Sequence, residues 1–67
     1  MDSYRIINRE KNLVIYTDSN HGFYAYEPGT EKDGMTELKL REEFARLVLG
    51  TINKTICPGF EIEKIEE

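Results

Sequence analysis

The first third of the chain sorts its apolar residues into short runs separated by polar clusters. Ser3–Asn8 and Leu13–Thr17 are rich in Ile, Val, Leu and Tyr. Runs of this kind predict strands, because branched and aromatic side chains suit a pleated, half-buried surface. Arg9, Glu10, Lys11 and Asn12 read as a polar turn between them. Asp18, Ser19, Asn20, His21 and Gly22 form a second turn, dense in residues that tolerate unusual backbone angles. Phe23–Tyr26 follows as a third strand. Links this short imply an antiparallel meander.

Pro28, Gly29, Asp33 and Gly34 break residues 27–34 into a loop. The period then becomes helical. Leu40, Phe44, Leu47, Val48, Thr51 and Ile52 recur at spacings of three and four, which is one face of a helix. Thr36 is the expected N-cap, and Met35 and Leu40 are spaced as a hydrophobic staple. Glu37 with Arg41, and Glu42 with Arg46, are spaced to pair along the helix. Gly50 interrupts the pattern. The apolar spacing continues beyond it, so the helix is expected to run on, with Gly50 where it crosses the sheet closely. The alternative ends the helix at Leu49 and makes residues 51–56 a strand. Pro58 and Gly59 stop what precedes them. Residues 60–63 alternate as a last strand, with Glu61 and Glu63 toward water.

The order β-β-β-α-β predicts an α+β fold: an antiparallel sheet with one amphipathic helix packed on one face. Alternation splits the strands into two sets. Symmetric turns pair Ile6 with Ile15 and Ile15 with Ala25. One face then holds Tyr4, Ile6, Leu13, Ile15, Thr17, Phe23 and Ala25, the natural seat of the helix. The second face holds Arg5, Ile7, Val14, Tyr16, Tyr24 and Tyr26. If no other segment covers it, this tyrosine-rich face is exposed. Tyr and Arg are enriched at interfaces because they join contact area to a polar end, and such a patch usually marks a contact site. The same tyrosines could equally serve as cross-strand pairs within the sheet, and the C-terminal segment could fold over them.

Composition narrows the function. The chain has 67 residues, read as a single domain over residues 1–67. A chain this short buries only ~60% of its unfolded surface and leaves no room for a deep cleft. Acidic groups outnumber basic ones 13 to 9, giving a net charge of −4. No basic stripe is present, so phosphate-driven nucleic-acid binding and anionic membranes are disfavoured. A basic protein surface is the partner that the charge favours. One cysteine, Cys57, excludes an internal disulfide. Met1 is followed by polar residues and no apolar leader. A soluble, cytoplasmic setting is the expectation, and Asn53–Lys54–Thr55 gains no weight as a glycosylation signal.

Catalytic sets are missing. His21 and Cys57 are distant in sequence, and read as a turn histidine and a small buried thiol, not as a nucleophile with its base. No cluster has metal-ligand spacing, and no phosphate loop or cofactor motif is present. Glu66 and Glu67 are expected to be a solvated end.

Pro58, Gly59, Phe60, Glu61 and Ile62, following an amphipathic helix, resemble the tail of small phage-encoded inhibitors of host RNA polymerase. That family is similar in size and in its strands, single helix and final strand. The resemblance covers this tail alone and carries over no binding residue. It implies a compact protein that binds and inhibits or regulates a larger host protein.

The expectation is therefore a non-enzymatic protein-interaction module. Arg5, Tyr16, Tyr24 and Tyr26 are the expected contacts, with Ile7 and Val14 beneath them. Glu61 and Glu63 are expected to meet basic groups of the partner. Two other readings use the same face: a single-stranded nucleic-acid binder that stacks bases on the tyrosines, with Arg9 and Lys11 at phosphates, and a homodimer.

Overall fold

The computed structural model describes residues 2–65; the expected solvated end at Glu66 and Glu67 lies outside them. The elements are β1 (Ser3–Asn8), β2 (Leu13–Thr17), β3 (Phe23–Tyr26), β4 (Thr36–Glu37), α1 (Glu42–Thr55) and β5 (Glu61–Ile65). The sheet is antiparallel, with the path β3-β2-β1-β5, and β4 pairs with β2 off that path. α1 packs on β1 and β5. This is the α+β class that the pattern predicts, with one strand more than expected.

The register is the one symmetric turns impose. Ile7 faces Val14, Asn8 faces Leu13, and Ile15 faces Ala25. Both sets of side chains land as the alternation predicts. Ile6 and Ile15 are fully buried under the helix layer, with Leu38, Ile52 and Phe60.

The extra strand corrects the expected helix start. Thr36 is not an N-cap but a β4 residue opposite Thr17. Glu37 sits opposite Tyr16, so it is not spaced along a helix with Arg41. Residues 37–40 alternate polar and apolar, and they fold as that period dictates. Leu38 and Leu40 turn into the helix-side core. The Leu38 N–H donates to the Ile15 carbonyl at 3.1 Å, and Leu40 exchanges two backbone bonds with Tyr4 at 2.7 and 2.9 Å. This segment is wedged between β2 and β1 where those strands part. Met35, expected to staple the helix, packs instead on Ile7, Val14 and Tyr16 across the sheet.

α1 begins at Glu42 with Arg41 as its N-cap, in extended conformation and without a side-chain cap bond. Its buried face is Ala45 and Ile52, with Val48 and Leu49 packed beside them. Phe44, Leu47 and Thr51, expected on that face, are exposed. The helix runs through Gly50 to Thr55, but a Cβ at Gly50 would meet nothing within 4 Å. Gly50 therefore faces open space and marks no close crossing.

Two asparagines lock the C-terminal half. Asn53 accepts from the Phe60 N–H at 2.9 Å and donates to the Phe60 carbonyl at 3.3 Å. It acts as a strand partner for the residue that leads into β5. Buried Asn8 accepts from the Lys11 N–H at 3.0 Å and donates to the Pro58 carbonyl at 3.3 Å. Between them, Gly59 takes a positive φ of 101°, and a Cβ there would sit 3.2 Å from Asn8 Nδ2.

Candidate interaction surface

β3 and β4 both run antiparallel to β2 and pair with its opposite edges. Residues 27–35 must therefore cross β2, and they do so on the face away from the helix. There Met35 packs on the cluster of Ile7, Val14 and Tyr16. This overturns the expectation that the second face is open. Tyr16 keeps 7% of its exposure, and Ile7 and Val14 are buried with it. Tyr26 is half-buried and meets Tyr16 edge-on, with ring centroids 6.0 Å apart and planes at 70°. Burial pushes the Tyr16 phenol up from its ordinary pKa, and the nearby charge of Glu31, in the crossing segment, adds to the effect. Three of the expected contact residues are thus a second small core.

Tyr24 stays open at 39% exposure. Its ring folds back toward Gly22, where a Cβ would lie 2.8 Å from the phenol oxygen. The charge of Asp18 raises the Tyr24 pKa. Asp18 is itself lowered, first by the Gly22 N–H at 3.1 Å and then by the Asn20 N–H at 3.0 Å.

Arg5 is half-buried and engaged inside the chain. Its Nε donates to Glu63 at 2.7 Å, Nη2 also meets Glu63, and Nη1 lies 3.5 Å from Glu37. Arg9 spans Glu61 and Glu63 at 2.6 Å each. Arg5 and Glu63 are direct cross-strand partners, which explains the pairing. The basic groups expected from a partner of Glu61 and Glu63 are therefore supplied by this chain. The same pairing engages Arg9, one of the two groups expected at phosphates. A cavity of about 330 Å³ opens beside this network, lined among others by Arg5, Asn8, Arg9, Val14, Pro28 and Glu63.

The network has a pH signature. Glu63 sits below its ordinary carboxylate pKa, chiefly because Arg5 donates to it, and Arg9 adds to the effect. A lowered folded value means that the unfolded chain binds more protons in acid. The contribution is complete above the unfolded pKa and is lost as pH falls through the folded one. Asp18 acts in the same direction. Thermal midpoints are expected to fall from about pH 5 downward, and less steeply in Glu63→Gln. An equal slope in that variant contradicts the assignment.

Besides Tyr24, large apolar residues lie open on the helix and on the helix-side face of β3. Phe44 is 54% exposed, Leu47 70% and Phe23 40%. Asn53 turns one flank of α1 toward Phe60 and β5. Phe44 lies about 180° round the helix from Asn53, as the 3.6-residue turn requires. Its flank therefore faces the β2–β3 side of the sheet. Leu40 pairs with Tyr4 just before α1 begins, at the sheet end where Thr17 pairs with Phe23. Phe23 and the start of α1 thus lie at the same end of the sheet, while α1 itself packs on β1 and β5. The sequence carried this signal in its apolar spacing, but the spacing alone assigned Phe44 and Leu47 to the core.

The catalytic candidates are apart. His21 follows the Thr17 end of β2, with φ at 60°. Cys57 packs at the opposite end, next to Pro58 and therefore near Asn8. Among the described residues there is no group of three or more His, Cys, Asp or Glu able to hold a metal. Among them, too, no helix is long and apolar enough to cross a membrane. Comparison with protein families, curated proteins and solved structures finds no match for the chain.

Proposed function

We propose that the protein is a non-enzymatic interaction module that binds a protein partner through the exposed stripe of α1. The observation that carries this reading is the exposure of Phe44 and Leu47, two large apolar residues three apart on a helix whose other face makes the core. An i, i+3 apolar pair is the anchor pattern by which amphipathic helices enter apolar grooves. The net charge of −4 favours a groove with a basic rim. The phage-inhibitor resemblance of residues 58–62 supports a larger host protein as that partner, inhibited or regulated by the contact.

Base stacking fits less well. It needs several open aromatic faces side by side, and Tyr16 and Tyr26 are engaged with each other and with the crossing segment.

Affinity capture from the source cell with three forms of the chain tests the reading. A partner held by the wild type is expected to be lost from Phe44→Asp/Leu47→Asp and kept by Tyr24→Ala. Both altered positions on α1 are solvent-facing, so the variant is expected to stay folded by circular dichroism. Retention of the partner by that folded variant contradicts the assignment.

A further inference from the structure

The two edges of the sheet differ in kind. β5 carries Glu61, Glu63 and Lys64, paired to Arg9, Arg5 and Asp2. β3 reads Phe23, Tyr24, Ala25, Tyr26, with no charge and no proline. Natural sheets usually blunt or cover such an edge, because its free backbone groups invite another strand. Here the crossing segment covers the face of β2 and leaves the outer edge of β3 open.

The register shows which groups point outward. The Ile15 carbonyl accepts from Leu38, and the Thr17 carbonyl from the Thr36 hydroxyl at 3.4 Å. Ile15 and Thr17 therefore turn their backbone groups away from β3. Their partners across the ladder, Ala25 and Phe23, form the non-hydrogen-bonded pairs. Tyr24 and Tyr26 bond to β2, while Phe23 and Ala25 present N–H and C=O to the outside. Among the described residues, neither backbone has a side-chain or loop partner.

We propose that β3 pairs antiparallel with β3 of a second copy about a two-fold axis. Two conditions set the register. A two-fold axis normal to the sheet keeps each face on its own side, so paired residues must share a face. The outward groups must also exchange bonds. Phe23 with the partner's Ala25, and Ala25 with the partner's Phe23, meet both conditions without using a residue outside the strand. Tyr24 then faces the partner's Tyr24 on the axis. The large Phe23 lies beside a small alanine on the helix side. The strip is also neutral on a chain of net charge −4, so like-charge repulsion between copies is weakest there. The second copy is thus argued from self-complementarity, and the contact is independent of the α1 stripe. A four-residue strand is a short contact, so the association is concentration-dependent.

Sedimentation equilibrium of the full chain up to about 1 mM is the first test. The mass is expected to rise from one chain toward two. Phe23→Lys, which sets like charges on the edge outside the buried core, is expected to remain monomeric with an unchanged circular dichroism spectrum. The second test is cross-linking in a Cys57→Ser background. Backbones at a non-hydrogen-bonded pair approach to about 4.5 Å, within disulfide reach. Oxidised Tyr24→Cys is therefore expected to form covalent dimers, and Thr30→Cys is not. A wild type that stays monomeric throughout overturns the proposal. So does a dimer that persists in folded Phe23→Lys, or cross-linking that is no faster at position 24 than at position 30. In that last case, the two copies associate by another face.

Discussion

Ile52→Ala is expected to remove most of the stability of this protein, while Phe44→Ala leaves it nearly unchanged. Ile52 is 1% exposed and packs against Ile6, Ile15, Leu38 and Phe60. Cutting it to alanine loses transfer energy and leaves a cavity, at a cost of about 2–5 kcal/mol. A chain of this length holds only about 5 kcal/mol in total. In urea, where small domains lose about 1 kcal/mol per molar, the midpoint is expected to drop by about 2 M or more. Phe44 is larger but points outward, so its truncation is expected to change stability by no more than about 0.5 kcal/mol. The reverse order of effects would turn the helix round and place Phe44 in the core.

Asn53→Ala is the second large effect, expected at about 1–3 kcal/mol. One side chain satisfies both backbone groups of Phe60, which is itself 5% exposed. Alanine leaves a buried N–H and a buried C=O without partners, and this penalty exceeds the net value of the bonds themselves. Denaturation measures the loss, and faster amide exchange at Phe60 locates it. An Asn53→Ala protein as stable as the wild type would show that β5 is held by its ladder to β1 alone.

The strands and their faces were legible because the period-two signal is local. Ile6, Ile15 and Ala25 fall on one side whatever else the chain does. The helix was half legible. Its extent beyond Gly50 followed from the apolar spacing, but its rotation did not. Phe44 outweighs Ala45 in any reading by side-chain size, and nothing in side-chain size separates Leu47 from Leu49, yet Ala45 lies buried where a small residue permits close approach. The N-terminal error has one source. Glu37, Leu38, Lys39 and Leu40 alternate, while Leu40 also fits the helical spacing that follows.

That one strand decides the fate of the tyrosine face. Without β4, nothing requires residues 27–35 to cross β2. With it, the crossing is forced, and Tyr16, Ile7 and Val14 are covered. The engagement of Arg5 was hidden for a related reason. Glu63 lies far along the chain, and its position opposite Arg5 follows only from pairing β1 with β5. The hydrophobic pattern supplied the layers, and long-range strand pairing supplied what each layer leaves exposed.

The central claim is that Ile7, Val14 and Tyr16 on the second sheet face are covered and that α1 leaves Phe44 and Leu47 open. Hydroxyl-radical footprinting of the free protein tests it most directly. Tyr24, Phe44 and Leu47 are expected to be modified rapidly and Tyr16 to be protected. Modification of Tyr16 as fast as Tyr24, with Phe44 protected, would contradict the account and return the contact surface to the tyrosine face.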